Sequence, residues 1–177
     1  MGRTRYKIIE PTAPHFMTVT TVNWIPIFTR PDTVKIILDS FDYLQKAHRL
    51  KLYGFVVLEN HLHCITQSKD LAKTMSSFKS YTAKMIIRYL ESQKANRVLD
   101  QLAFHKKAHK KDRKYQVWEE GMHPQWIQNK EMLRQKLEYI HLNPVKRGYV
   151  DEASHWRYSN ARNYELGSGL IEVFCDW

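Results

Sequence analysis

The sequence predicts an α+β domain in which a ferredoxin-like βαββαβ series of elements builds an antiparallel sheet with helices on one face. Three observations lead to this prediction. Short apolar or alternating segments are interspersed with longer segments of helical periodicity. Two of the short segments are separated only by Glu59-Asn60, as in a tight hairpin. The resulting order is strand, helix, strand, strand, helix, strand.

The first half of the chain supplies four of these elements. Residues 15–22 alternate in polarity and are rich in β-branched side chains, which predicts a strand. Pro31-Asp32 is a helix-start signal, and apolar residues recur at helical spacing from there to about Arg49. Residues 53–58 and 61–67 are the two strands of the hairpin.

The second half begins with a long amphipathic helix over 70–91, which has basic residues on its outer side. Residues 92–114 lose periodicity and become polar and basic, which predicts a long, mobile, functional connection. A further strand is predicted over 115–119. The last helix is predicted over 127–141, ending before Pro144 because proline disfavours a helical residue ahead of it.

Length and composition favour one domain spanning residues 1–177. The chain has 177 residues, of which 43% are hydrophobic, enough to fill a core. Within it we expect a basic N-terminal arm (1–14), a basic loop (93–114) and a C-terminal packing extension (149–177). The sequence shows no apolar stretch of membrane-spanning length and no signal peptide, so we expect a cytoplasmic protein. Cys64 and Cys175 lie far apart without metal-site spacing, and we expect both to be reduced thiols.

The net charge of +10, from 28 Lys+Arg and 18 Asp+Glu, makes nucleic acid the first candidate partner. Charge of this size also serves solubility, so its distribution must decide. The surplus is concentrated between the middle of the chain and its later third, where 106–114 is the densest run. We therefore expect these basic residues to surround one cleft.

His61-Leu62-His63 is the sharpest local motif. Residues i and i+2 of a strand project to the same face, so both imidazoles can reach one metal ion. In a chain with nine His such a pair also arises by accident, so a third ligand is needed.

Tyr139 and Asn143 are the candidate partners of these histidines, since their i, i+4 spacing places them on one side of a helix. Two imidazoles and an amide oxygen, with open positions for water or phosphate, suit Mg²⁺ or Mn²⁺, and a neighbouring tyrosine is a candidate nucleophile. The alternatives are a half-packed tyrosine and an ordinary residue at a helix end. The predicted buried stripe argues against them, because it runs through other positions: Leu133, Leu137 and Ile140.

Several motifs in a fixed order then resemble a known family. They are Arg3 in the start Gly2-Arg3-Thr4-Arg5, Asn60-His61-Leu62-His63, Trp118-Glu119, the block Tyr-Ile-His-Leu-Asn-Pro-Val-Lys-Arg-Gly over 139–148, and Trp156-Arg157-Tyr158-Ser159. Together they resemble the single-tyrosine HUH transposases, and specifically the REP-associated tyrosine transposase branch of prokaryotes. The block over 139–148 is the most specific of them.

The resemblance implies a role for each matching residue. His61 and His63 would bind a divalent metal, Mg²⁺ or Mn²⁺, and Asn143 would complete that site. Tyr139, carried on the C-terminal helix, would be the nucleophile that cleaves single-stranded DNA and leaves a 5′-phosphotyrosine for strand transfer. The substrate class would be an imperfect hairpin, and the enzyme a monomer or a homodimer.

The basic residues would hold the DNA backbone, and exposed aromatic residues such as Trp24 or Trp126 would stack on bases. The residues expected to bind DNA are Arg3, Arg5, Lys79, Lys106, Lys107, Lys110, Lys111, Lys136, Lys146 and Arg147.

The sequence departs from the family pattern in three places. Leu58-Glu59 stands where members usually carry Met-Pro, Thr20 replaces a first-strand arginine, and Asn23-Trp24 replaces Asn-Arg. Two other functions stay open at this stage. One is a domesticated protein that binds hairpin DNA without cleaving it; the other is an RNA-binding ferredoxin-like domain with an accidental histidine pair.

Overall fold

The computed structural model describes residues 8 and 10–177. Four antiparallel strands form one sheet in the order β2-β3-β1-β4. They are β1 (His15–Thr20), β2 (Lys51–Val57), β3 (His61–Gln67) and β4 (Gln125–Trp126). The helices are α1 (Pro31–Lys46), α2 (Leu71–Ser92), α3 (Asn96–Phe104), α4 (Lys130–Lys146) and α5 (Ala161–Leu166). The strand order confirms the predicted ferredoxin-like α+β class.

Local sequence signals set the ends of the main helices. Pro31 opens α1 with its fixed φ. The Asp70 carboxylate accepts a hydrogen bond from the Lys73 N–H and so caps α2, at 3.0 Å. Asn129 caps α4 in the same way by accepting from the Met132 N–H at 2.8 Å.

The alternation of the strands divides the hydrophobic core into two layers. Met17 and Leu62 lie in the layer that packs against α1 and α2. Phe16 and Ile65 belong to the opposite layer, with the buried residues of α4. The helices α1 and α2 thus cover one face of the sheet, and α4, the additional helix that carries Tyr139, covers the other.

Gly54 sets how closely α4 approaches β2. A Cβ at this position would lie 2.5 Å from Leu137 Cδ2 and 3.4 Å from Asn160 Oδ1. Only the absence of a side chain allows this close approach. The glycine therefore lets the Leu137 side chain of α4 pack directly on the backbone of β2.

The predicted basic loop over 93–114 is wrong in its first part, because α3 occupies Asn96–Phe104. Leu99 and Leu102 are buried, and Val98 packs beside them. These apolar residues extend over one short helix flanked by polar residues. That length is too short for a helical period to be recognised in the sequence. Of the predicted loop, 93–95 and 105–114 contain no helix or strand.

The predicted strand over 115–119 is also wrong, since it makes one isolated bridge, from Trp118 to Thr21. The fourth strand is the two-residue β4, which is too short to show alternation. The last helix extends two residues past Pro144, to Lys146, contrary to the expected stop. The Arg147 N–H still reaches the Asn143 carbonyl at 3.2 Å, so the helical turn continues around the proline.

The C-terminal segment packs along the outer edge of β2. The Tyr158 carbonyl accepts from the Val57 N–H at 2.8 Å, and the Leu52 carbonyl accepts from the Phe174 N–H at 2.7 Å. The Asn160 side chain accepts from the Phe55 N–H at 2.7 Å. No helix in the described part of the chain is long and apolar enough to cross a membrane.

Candidate active site

The register of β1 and β3 places both histidines of the motif on the α4 side of the sheet. His63 lies opposite Thr18 and His61 opposite Thr20. Both imidazoles are buried, with ring centroids 4.9 Å apart. The hairpin turn that precedes them is closed by a hydrogen bond from the Leu58 N–H to the His61 carbonyl at 2.9 Å.

A hydrogen-bond partner fixes each imidazole through its Nδ1 atom. His61 Nδ1 donates to Asn60 Oδ1 at 2.7 Å. His63 Nδ1 lies 2.9 Å from Thr18 Oγ1. Partners of this kind orient a ring and leave its Nε2 atom available as a ligand or acceptor.

Burial keeps both histidines neutral at neutral pH. It is the main cause that lowers the pKa of His61 to about 4, with a further lowering by the positive charge of Arg147. Burial also lowers the pKa of His63 to about 3, supported by His61, Arg147 and Lys136. Two neutral imidazoles offer lone pairs to a cation or a donor.

Tyr139 lies beside this pair in the same chain. Its ring centroid is 5.2 Å from that of His63, in an edge-to-face arrangement. Phe16 stacks on His63 at 5.4 Å and also contacts the Tyr139 ring at 5.7 Å. The Tyr139 side chain remains 42% exposed, so its hydroxyl group is accessible to a substrate from solvent.

Asn143 and Arg147 follow Tyr139 at successive turns of α4. The buried Asn143 side chain accepts a hydrogen bond from Arg147 Nε at 3.0 Å. Arg147 also donates through Nη1 to Glu59 Oε1 at 3.2 Å and through Nη2 to His61 Nε2 at 3.5 Å. The guanidinium group therefore connects the end of α4 to the hairpin turn and to the histidine pair.

The donor set at this place fits a divalent cation. Each histidine is neutral and held through Nδ1, and the Asn143 carbonyl oxygen has a second lone pair. Glu59 Oε2 is buried and accepts no hydrogen bond from the described residues, so an anionic oxygen beside His61 is unsatisfied. The described residues contain no group of three or more His, Cys, Asp or Glu placed to hold a metal. A cation here would take its remaining ligands from water and phosphate oxygens.

The basic residues form two groups instead of the single expected cleft. Lys136, Lys146 and Arg147 lie on or just after α4, and the Lys136 ammonium is 4.8 Å from the Phe16 ring centroid. The second group lies on α2 and in the 105–122 segment and consists of Lys79, Lys106, Lys107, Lys110 and Lys111. Arg3 and Arg5 lie outside the described residues.

Hydrogen bonds and ion pairs occupy much of the second group. Lys79 donates to the carbonyls of Glu119 and Gly121 at 2.7 and 2.8 Å. Lys107 forms a 3.3 Å ion pair with Glu119, and Lys110 forms a 2.8 Å ion pair with Glu120.

The remaining two lysines of this group differ. Lys106 donates to the Lys110 carbonyl at 2.8 Å, whereas Lys111 is exposed. The separation of the two groups follows from the sheet, because α2 and α4 pack on opposite faces of it.

Sequence reasoning named Asn60 and Glu59 within its motifs but gave neither a structural contact, and it gave Thr18 no role. Thr18 and Asn60 hold the imidazoles, and Glu59 holds Arg147. The sequence did contain a signal for Thr18, because the alternation of the first strand places it on the same face as Phe16. The contact between Glu59 and Arg147 spans 88 positions and left no local pattern.

Comparisons with known proteins agree with the resemblance. No family model matches the chain. The chain is 27% identical over 104 residues to a protein of Haemophilus influenzae that is assigned as a REP-associated tyrosine transposase. The match covers 59% of this chain and 54% of that protein, so the chain spans about half the length of this curated relative.

A solved structure gives the second comparison. It is described as a REP-associated tyrosine transposase bound to a REP hairpin, and the chain matches it with a TM-score of 0.61 at 23% identity. The match covers 100% of this chain and 91% of that one. The fold of the chain is thus the fold of that protein.

Proposed function

We propose that this chain, which resembles the REP-associated tyrosine transposases in its motifs and in its fold, is a metal-dependent enzyme that cleaves and rejoins single-stranded DNA through Tyr139. The observation that carries the proposal is the packing of an accessible tyrosine against two buried, neutral histidines within one chain. The ring centroids of Tyr139 and His63 are 5.2 Å apart, and those of His63 and His61 are 4.9 Å apart.

His61, His63 and Asn143 would hold a divalent cation, Mg²⁺ or Mn²⁺. When bound, such an ion neutralises the charge of a phosphodiester and so reduces its repulsion of a nucleophile. Thr18 and Asn60 keep the two imidazoles oriented. The low pKa values of the histidines keep their lone pairs free at neutral pH.

Tyr139 would attack the phosphorus of the scissile bond. Its phenolic proton leaves to solvent, a bond forms between its oxygen and phosphorus, and the bond from phosphorus to the 3′ oxygen breaks. The 3′ oxygen takes up a proton, which yields a 5′-phosphotyrosine and a free 3′-hydroxyl. A DNA 3′-hydroxyl can then attack the same phosphorus and release Tyr139, so strands are joined without ATP.

Arg147 and Lys136 would bind the charged oxygens of the phosphate. A guanidinium group presents paired donors that match phosphate oxygens. Glu59 and Asn143 hold Arg147 beside His61 before substrate arrives. Lys136 adds a positive charge near His63.

For the substrate, we propose single-stranded DNA that folds as an imperfect hairpin. A structure that shares the fold was determined with a REP hairpin. The net charge of +10 and the exposed lysines Lys111 and Lys146 favour a polyanion.

The test is to incubate the protein with Mn²⁺ and end-labelled hairpin DNA and to follow adducts on denaturing gels. We expect a covalent protein–DNA adduct that disappears with EDTA and in Tyr139→Phe. The variant Tyr81→Phe is the matched control, because Tyr81 is a 54% exposed tyrosine on α2 and should leave the adduct unchanged.

Three outcomes would contradict the proposal. An adduct that persists in Tyr139→Phe would assign the nucleophile elsewhere. Tight binding of varied hairpins without any adduct would favour the non-cleaving, domesticated DNA-binding protein. A preference for RNA, with metal affinity unchanged in His61→Ala and His63→Ala, would favour the RNA-binding domain.

A further inference from the structure

Trp24 is an exposed tryptophan beside the candidate active site. It ends the single helical turn Val22–Trp24, which follows β1. All five tryptophans lie in the described part of the chain, and among them Trp24 alone is largely exposed, with 57% of its surface accessible. A single exposed apolar ring is common on protein surfaces, so a function for Trp24 has to be inferred from its backbone and from the contacts that hold it.

The backbone that carries this ring is strained. Asn23 has φ 48° and Trp24 has φ 55°, so two consecutive residues with side chains occupy the left-handed region. Asparagine tolerates this region, whereas a bulky aromatic residue is an outlier there. Glycine would satisfy the turn at lower cost in free energy. The tryptophan is therefore retained against the preference of its own backbone.

Neighbouring residues hold this strained turn in place. The Trp24 N–H donates to the Thr21 carbonyl at 3.1 Å, and the Asn60 amide donates to the Trp24 carbonyl at 3.2 Å. The Asn23 N–H donates to Glu119 Oε1 at 3.2 Å. A rigid support of this kind prepares the ring for binding, since little flexibility is lost when a ligand arrives.

The turn is also coupled directly to the histidine pair. Asn60 binds the Trp24 carbonyl with its amide nitrogen and His61 Nδ1 with its amide oxygen. The Trp24 ring lies edge-on to the His61 ring, with centroids 5.5 Å apart. The four rings Trp24, His61, His63 and Tyr139 therefore form a continuous row, with one exposed aromatic ring at each end.

We propose that Trp24 stacks on the unpaired DNA base adjoining the phosphate that Tyr139 attacks. This inference rests on the proposed function and adds a base-binding site to it. An aromatic face binds any base by stacking, and the exposed indole face is next to the row that would hold the phosphate. The site thus takes one unpaired base and sets which linkage reaches Tyr139.

The test measures binding by fluorescence anisotropy in a Tyr139→Phe background, which prevents cleavage. The probes are a DNA hairpin with a single-stranded 5′ extension of about ten nucleotides and the same hairpin with one abasic position moved through the extension. Trp24→Ala should weaken binding of the intact probe by about 5- to 100-fold, while Trp24→Phe retains most of the affinity. At one position the abasic probe should bind equally to the protein with Trp24 and to Trp24→Ala.

A matched control is Tyr81→Ala, which removes an equally exposed aromatic ring from α2 and should not change binding. Thermal unfolding of Trp24→Gly separates binding from folding: relief of the positive φ should raise the melting temperature while the affinity falls. Loss of affinity together with a lower melting temperature in Trp24→Gly would overturn the proposal.

Failure of this inference is distinguishable from failure of the proposed function. Suppose that the natural chain forms the adduct, and that in the Tyr139→Phe background Trp24→Ala does not change the affinity for any probe. The stacking role is then wrong and the cleavage function stands. If no adduct forms but the abasic effect depends on Trp24, the base site stands without the cleavage function. An equal loss for all abasic probes in Trp24→Ala would also overturn the base site.

Discussion

Arg147 has the most connected side chain of the candidate site. It donates to Asn143, to Glu59 and to His61, and it sits where a phosphate oxygen or a cation would be placed next to the histidines. A guanidinium group cannot give up its charge, so binding of a cation requires it to move away or to be matched by anionic oxygens. Substrate phosphate would supply such oxygens, so we expect binding of a cation and binding of DNA to favour each other at this site.

Lys79 gives a prediction on pH. Burial is the main cause that lowers its pKa from 10.5 to about 8. Between pH 8 and 10.5 the unfolded chain binds more protons at Lys79 than the folded chain does, so this residue makes stability rise with pH in that window. We expect the free energy of unfolding of the natural chain, relative to Lys79→Met, to increase by up to about 2 kcal/mol from pH 8 to 10.5. Urea unfolding at a series of pH values measures it.

The control for this prediction is Lys84→Met, an exposed lysine on the same helix. The difference in the free energy of unfolding between Lys84→Met and the natural chain should stay constant over the same pH range. A flat difference for Lys79→Met as well would show that its ammonium group is solvated and that its bonds to the 119–121 carbonyls do not persist in solution.

At the level of elements, the position of α4 over the sheet determines the distance from Tyr139 to the histidines. We expect Gly54→Ala to push Leu137 outward, because the new Cβ would lie 2.5 Å from Leu137 Cδ2. Overpacking of this kind costs about 1–3 kcal/mol of unfolding free energy. A displacement of Tyr139 by a fraction of an ångström to an ångström should slow adduct formation by about tenfold or more. Urea unfolding and the rate of adduct formation measure the two effects.

The double variant Gly54→Ala with Leu137→Ala makes space for the new methyl group. It should lose less stability than the sum of the two single variants, since the same two atoms are involved. An adduct rate in Gly54→Ala equal to that of the natural chain, despite lower stability, would mean that α4 does not position Tyr139.

The elements that sequence predicted well are those with strong periodicity and clear boundaries. Residues 61–67 were predicted as a strand and form β3, and the predicted helix over 70–91 is α2 within one residue at each end. The short α3 and the two-residue β4 were missed because so few positions carry no reliable period. The strand β4 is set by its pairing with β1, which is distant in sequence, and α3 by its packing against the neighbouring α2.

The sequence named the candidate catalytic and metal-binding residues, whose roles remain predictions, but it did not reveal how they are held in place. The i, i+2 and i, i+4 rules identified His61, His63, Tyr139 and Asn143 from local spacing alone. Thr18 and Arg147 entered the site through strand pairing and helix packing, which local patterns do not report. The motif block over 139–148 contained Arg147, but only the fold brought it to His61.

On the scale of the whole molecule, a single chain supplies every residue of the candidate site. The ring contacts run from Trp24 to Tyr139 without a second subunit. We therefore expect a mixture of Tyr139→Phe and His63→Ala to form no adduct, since neither chain has a complete site. The adduct assay on the mixed variants measures it, with each variant mixed with the natural chain as the positive control. Restored activity in the mixture of variants would mean that subunits exchange α4.

The basic residues behind the net charge of +10 lie in two separate groups on the molecule. One group of basic residues lies on α4 beside the histidines, and the other lies beyond Asn23, whose amide contacts His105 at 3.1 Å. The strained turn thus stands between the two groups. Strands of DNA that reach both would have to pass over it, which agrees with a base contact at Trp24.

Pro144 has a mechanical consequence for the candidate site. A proline has no N–H to donate to the carbonyl one turn earlier, so α4 lacks one hydrogen bond of its ladder between Ile140 and Pro144. Tyr139 lies before this gap, fixed by packing on the sheet, and Arg147 lies after it. We expect the last turn of α4 to be more easily displaced than the rest of the helix, because it is held by one hydrogen bond fewer. Tyr139 would then keep its position while the guanidinium group of Arg147 adjusts to a bound phosphate.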